Sequence, residues 1–240
     1  MPANTPKSIR LISFDLDDTL WDVTPALEAA EAAQWRYLER RYPDLTLRHV
    51  SRDELSQIRS QLLAEQPALA HQISLFRETF IGRLLEAKGI APKEATEAAE
   101  QAFAAFFAER HEVAVYEDAP AVLESLGKSF LLGALTNGNA DVKKTSIGDY
   151  FDFAWRAEHF GVSKPDPELF RQAFKTAGLT AEQVIHVGDC HDNDVSGAIK
   201  AGARAIWYSP TGESSDTASA VIRQLSELPD AIDELVDSLN

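Results

Sequence analysis

The stretch Phe14-Asp-Leu-Asp-Asp-Thr-Leu20 places three carboxylates, Asp15, Asp17 and Asp18, within four positions. It follows on from Ile9-Arg-Leu-Ile-Ser-Phe14, a short apolar run rich in strand formers that reads as a buried strand. The chain already carries 38 acidic against 23 basic side chains, a formal net charge of −15. Acids crowded where a strand ends must be offset by solvent or by a bound cation. What stands at the ends of the other strands decides between the two.

Past that turn the texture changes. Thr24 and Pro25 fit an N-cap and a first helical position, opening an amphipathic stretch to about Arg41. Ser51-Arg-Asp-Glu54 fits a capping box. Further helices are expected from about Ala70 to Lys88, stopped by Gly89, and from Pro92 to about His111. From Val113 the pattern alternates. Strands are expected at Phe130–Leu135, Phe153–Trp155, Val184–Val187 and Ala203–Trp207. Helices are expected from Asp118 to Gly127, briefly after Asn139, from Asp166 to Gly178 and from Asp194 to Ala201. The tail from Ala218 to Leu239 carries weaker helical patterning. Strands alternating with helices imply βαβ units. The expected fold is therefore α/β, a Rossmann-like parallel sheet interrupted early by an all-helical insert. The expected division is 1–22 core, 23–112 helical cap and 113–240 core.

Composition narrows the function classes. At 45% hydrophobic and 25% charged residues the chain reads as an ordinary globular protein. No apolar run approaches the ~18 residues of a membrane span, and Met1–Arg10 reads as a frayed polar tail without a secretory signal, so a cytoplasmic location is expected. The acidic balance argues against nucleic acid, whose phosphates need Lys and Arg. A small phosphorylated substrate remains compatible, because a metal inverts the local field. Cys190 is the only cysteine, which excludes an internal disulfide and a cysteine-based zinc site.

In open α/β sheets, ligands bind beyond the carboxyl ends of the strands. Polar clusters stand at such ends: Asp15-Leu-Asp-Asp-Thr19, Thr136-Asn-Gly-Asn139 and Gly188-Asp-Cys-His-Asp-Asn-Asp194. Ser163-Lys-Pro-Asp166 precedes a helix. Each alone is a turn, a cap or a solvated lysine. Four on one sheet edge, with a lysine among acids, point to a site.

In this order DLDDT, the strand-end TN, SKPDP and GDxxxND resemble the motifs of the haloacid dehalogenase superfamily, with the helical insert in the position of its subclass I cap. Within it, FDLDDTLWD, LTNGNA, GDYFDF and SKPDP resemble bacterial phosphatases acting on flavin mononucleotide and on the phosphorylated ribitylaminouracil of riboflavin synthesis. The resemblance implies Asp15 as nucleophile, Asp17 as general acid and base, and Mg²⁺ held by Asp15, the Asp17 carbonyl and Asp189. It implies phosphate binding by Thr136, the backbone of Asn137 and Lys164, and an orienting role for Asp194. Asp18 is expected to organise the turn, Asp192 and His191 to be exposed and Cys190 to be buried. Trp21 and Asp22 are expected at the site entrance, and Arg77 beside Phe76 as a substrate contact. The implied partner is a small phosphorylated metabolite, with the protein a monomer or homodimer. A haloacid dehalogenase, a sugar-phosphate mutase and a non-catalytic binding module stay open as alternatives; Asp17 and Asp189 weigh against the dehalogenase, which needs neither.

Overall fold

Six strands occur among residues 8–239, which the computed structural model describes. They are Leu11–Phe14 (β1), Leu131–Thr136 (β2), Phe153–Arg156 (β3), Val184–Gly188 (β4), Arg204–Tyr208 (β5) and Ala220–Ile222 (β6). All pair in parallel, in the order β3-β2-β1-β4-β5-β6. β1 and β4 are buried along their whole length, as strands covered on both faces must be. That explains why both read as continuous apolar runs and not as alternating ones. Phe14 lies in register with Ala134 of β2 and Val187 of β4. The chain order reverses at β1, so the crevice beyond the ends of β1 and β4 is the place this topology offers a ligand.

The chain divides into two compact units, one of residues up to Asp22 together with those from Ala114 onward, the other Val23–Val113. The second contains Val23–Arg41 (α1), Arg52–Glu65 (α2), Ile73–Ala87 (α3) and Pro92–Glu109 (α4). Ala95, Ala98, Ala99 and Ala102 follow helical spacing and pack with Leu38, Leu47, Ile81 and Leu85. The Ser51 hydroxyl caps α2 by accepting from the Glu54 N–H. In the first unit, Ala119–Leu126 (α5), Pro167–Thr176 (α6), Gly197–Ala201 (α7) and Leu228–Asp237 (α8) accompany the sheet. Its core joins Leu11, Leu135, Leu169, Phe170, Phe174 and Val195.

Several local expectations need correction. α3 begins at Ile73 and not Ala70, because Pro67–His71 forms a separate 3₁₀ turn. The brief helix expected after Asn139 is one 3₁₀ turn, Val142–Lys144, capped by Asp141. Within the tail expected to be helical, Ala220–Ile222 is a strand; three residues carry no periodicity, and pairing with β5 decides their state. The helix expected from Asp194 is preceded by a π-helical turn, His191–Ser196, and is itself only Gly197–Ala201. The N-terminal tail expected to fray lies, in residues 1–7, outside the described residues. Among the described residues no helix is long and apolar enough to cross a membrane.

Candidate active site

β1 delivers Asp15 one residue past Phe14, and the Asp15 N–H donates to the Val187 carbonyl at 2.8 Å, tying the strand end to β4. The chain then turns tightly. Asp18 takes a left-handed φ of 60°, tolerable for an aspartate, and its N–H donates to the Trp21 carbonyl. Asp18 is exposed, in keeping with a turn-forming role.

Lys164 is the hub. Its Nζ lies 2.7 Å from Asp15 Oδ1 and 2.6 Å from Asp194 Oδ1, and donates to the Leu135 carbonyl at 3.0 Å. The ammonium is almost fully buried, so its three protons need these three acceptors. The Asn137 side chain fixes the lysine's backbone from both sides: Nδ2 donates to the Lys164 carbonyl and Oδ1 accepts from the Lys164 N–H. Its side chain thus holds the lysine loop, which leaves the backbone as Asn137's means of meeting a ligand. Thr136 Oγ1 accepts from the Gly138 N–H at 2.9 Å, which leaves its hydroxyl proton to donate.

Asp194 accepts from three donors. Oδ1 takes Lys164 and His186 Nε2, the latter at 3.2 Å, and Oδ2 takes the Cys190 N–H at 3.0 Å. The π-helical turn closes with the Asp194 N–H on the Cys190 carbonyl. Gly188 makes the approach possible: a Cβ there would lie 2.3 Å from Asp194 Cγ. Behind it His186, fully buried, bonds through Nδ1 to the Ser13 hydroxyl at 2.8 Å. A neutral ring satisfies both partners, with Nε2–H toward Asp194 and Nδ1 accepting from Ser13. The brace formed by Ser13 and His186 was missed in the sequence. The signal was a histidine and a serine inside otherwise apolar strands, at positions 186 and 13, which β-pairing puts side by side.

Asp189 is held by Thr19, whose hydroxyl donates to Oδ1 at 3.0 Å and accepts from the Asp189 N–H at 3.1 Å. The Trp207 indole N–H donates to the Asp189 carbonyl. Trp21 corrects its expected place. It is fully buried, and its indole N–H donates to Asp17 Oδ1 at 2.9 Å; it holds that carboxylate and does not line an entrance. His191 is half-buried, not exposed: Nε2 meets the Ser215 hydroxyl and the ring packs edge-on against Trp207. Cys190 is half-buried and not buried, and Asp192 is exposed. Arg77 lies within the helical unit, its guanidinium 3.9 Å above the Phe106 ring and 3.6 Å from Glu31.

Burial, partly countered by Lys164, pushes the Asp15 carboxyl up to about 7, and repulsion from Asp194 and Asp17 adds to the rise. Asp189 is raised as well, by burial and by Asp194. Burial opposes the ionised form of Asp194 too, but Lys164 and His186 outweigh it and hold this carboxyl at about 2. Burial likewise opposes the Lys164 ammonium, yet Asp15 and Asp194 hold it above its ordinary range. Two acids that resist ionisation side by side are what a cation relieves. Asp15, Asp189 and Asp194 can each turn one oxygen to within 4.8 Å of the others, an all-oxygen set suited to a hard divalent ion. Asp194 already has donors on both oxygens, so Asp15 and Asp189 are the freer ligands. Asp15, Asp17, Thr136, Asn137, Lys164 and Asp189 line one cavity of about 210 Å³.

Residues 9–202 match the haloacid dehalogenase-like hydrolases. The chain is 31% identical over 202 residues to the 5-amino-6-(5-phospho-D-ribitylamino)uracil phosphatase YigB of Escherichia coli (strain K12), covering 84% of each. It is 38% identical over 146 residues to the phosphoserine phosphatase of Thermus thermophilus, covering 58% of this chain and 57% of that one. The crystal structure of a 2-haloacid dehalogenase from Pseudomonas syringae pv. Tomato DC3000 superposes with a TM-score of 0.89 at 42% identity, covering 95% of this chain and 99% of that one.

Proposed function

The chain belongs to the haloacid dehalogenase-like hydrolases, and we propose that it is a Mg²⁺-dependent phosphatase that hydrolyses the phosphate monoester of a small metabolite through an aspartyl-phosphate. The observation that carries this is the lysine hub: a buried ammonium shared by Asp15 and Asp194, beside the further carboxylates Asp17 and Asp189. In this reading Asp15 attacks phosphorus, the P–O bond to the substrate breaks, and Asp17 gives its proton to the departing alkoxide. Water then displaces Asp15 from phosphorus as Asp17 takes a proton back. Trp21 supports both steps by binding Oδ1 of Asp17 and so presenting Oδ2 to the leaving group. Lys164 keeps its proton and offsets charge on Asp15 and the phosphoryl oxygens. Thr136 and the Asn137 backbone contribute further donors. Mg²⁺, held by Asp15, Asp189 and the Asp17 carbonyl, would screen the anionic nucleophile from the anionic substrate.

The similarity to YigB over most of both chains supports the phosphorylated ribitylaminouracil, or flavin mononucleotide, as the substrate. The similarity to a 2-haloacid dehalogenase favours a second reading, displacement of halide from carbon by Asp15. The site argues for the first. A halide leaves without a proton and needs no cation, so the oriented acid at Asp17 and the additional carboxylate at Asp189 would be without use there. One assay separates the two. Phosphate release from flavin mononucleotide and p-nitrophenyl phosphate is expected with Mg²⁺ and not with chelator. Halide release from 2-chloropropionate without phosphate release would replace this reading with the second.

A further inference from the structure

Trp207 stands on β5 in register with Gly188 of β4, one residue before Asp189. It is buried, and a buried indole N–H needs an acceptor. The acceptor is the Asp189 carbonyl, at 2.7 Å. The indole is itself held. The His191 ring packs edge-on against it with centroids 4.9 Å apart, and His191 Nε2 lies 2.8 Å from Ser215 Oγ and 3.1 Å from Thr217 Oγ1.

Thr19 engages two further atoms of Asp189, accepting from its N–H and donating to Oδ1. The N–H, the carbonyl and Oδ1 are thus all engaged, and among the described residues only Oδ2 has no partner. The Asp189 backbone is pinned at both ends, by Thr19 from the turn after β1 and by Trp207 from β5. A carboxylate so fixed offers one oxygen from one position. That suits Mg²⁺, which demands near-ideal octahedral geometry, better than Ca²⁺, which takes more oxygens in a looser arrangement. An ion large enough to take both carboxylate oxygens would compete with the Thr19 hydroxyl for Oδ1.

We propose that Trp207 is a positioning residue for Asp189, and that its indole N–H makes the site select Mg²⁺ over Ca²⁺. The inference rests on the reading of Asp189 as a metal ligand and adds to it a residue outside the sequence motifs.

The test is calorimetric titration of the full chain, without substrate, with Mg²⁺ and separately with Ca²⁺. Trp207→Phe keeps a buried ring and deletes the N–H. Mg²⁺ affinity should fall at least about ten-fold, the low end of what is lost when a group that orients a ligand is removed. Ca²⁺ affinity should change by less than about three-fold, because a flexible ligand still serves it. Replacing Trp207 with benzothienylalanine, which keeps the whole bicyclic ring and puts sulfur in place of the N–H, should repeat the result without a packing change. Trp155→Phe is the control: it removes an equally buried indole N–H, one that donates to Thr176 Oγ1, and should leave both affinities as they are. The proposal is overturned if the Trp207 replacements bind Mg²⁺ like the native chain, if they lose Mg²⁺ and Ca²⁺ equally, or if Trp155→Phe shows the same losses; each of these outcomes leaves Asp189 a ligand. A native chain that binds no Mg²⁺ would overturn the metal-dependent reading together with this one.

Discussion

At the sheet edge the buried Lys164 ammonium is held by oxygens of Asp15, Asp194 and Leu135 at 2.6 to 3.0 Å; in the helical unit the Gln34 amide oxygen, equally buried, is held by none among the described residues. The first arrangement fixes a geometry. Lys164 and Asp194 each have more than one partner, so neither can move without exposing an unpaired charge in a low-dielectric setting. The second leaves one acceptor without a donor, a cost of about 1–3 kcal/mol that the packing around it must offset. The contrast separates a polar network whose buried groups satisfy one another from a helical packing that leaves one buried polar atom open.

The comparison breaks most visibly at its hub. Lys164→Ala would leave Asp15 and Asp194 facing each other without their shared cation. Loss of one partner of a buried pair costs about 3–5 kcal/mol, and we expect that drop in denaturant unfolding of the cation-free protein, with hydrolysis lost. A drop below about 1 kcal/mol would show that the network is not the rigid element described here. Gly188→Ala tests the same rigidity without changing charge. The new Cβ would overlap Asp194, so the carboxylate must shift, at a cost of about 1–3 kcal/mol typical of overpacking. Wild-type stability together with wild-type turnover would mean that the close packing at Gly188 is dispensable.

The pH response sharpens the contrast. Asp15 is raised from its ordinary 3.8 to about 7, chiefly by burial against the pull of Lys164. Between those values the folded form binds more protons than the unfolded chain, so the Asp15 contribution makes the cation-free protein less stable as pH rises through that window. Asp15→Asn should flatten this part of the profile in thermal melts at pH 4 to 8, and a divalent ion should flatten it in the native chain. Mg²⁺ affinity, measured by calorimetry, should then fall as pH drops below about 7, because binding displaces the Asp15 proton. An affinity unchanged between pH 5 and 8 would remove Asp15 from the ligand set.

The smallest expected effect is at Trp21. Trp21→Phe keeps a buried ring and deletes only the N–H on Asp17. A hydrogen bond of about 0.5–1.5 kcal/mol translates to a loss of roughly ten-fold at most. That loss should appear with alkyl phosphates, whose leaving group needs a proton, and vanish with p-nitrophenyl phosphate, whose leaving group does not. Equal losses on both would assign Trp21 to packing alone.

Much of the sheet was legible because buried parallel strands leave uninterrupted apolar runs, as at Leu11–Phe14 and Val184–Gly188. β6 was not, since three residues in a weakly patterned tail owe their state to pairing with β5. In the site, the acids and Lys164 stand at strand ends and helix starts where spacing exposes them. The contacts of Trp21, Ser13 and His186 were hidden for a different reason. Each is a buried polar group on an apolar background, and its partner is fixed only once the turn closes or the strands pair. Gln34 was hidden likewise, because a glutamine in an amphipathic helix reads as solvated until the packing around it is known.

The most direct test of the central claim is to quench the enzyme with acid during turnover of a ³²P-labelled phosphate monoester in Mg²⁺ and to map the protein-bound label. We expect label on the peptide that contains Asp15, and none with Asp15→Asn or with chelator present. Full hydrolysis by Asp15→Asn, or label on another residue, would contradict the account.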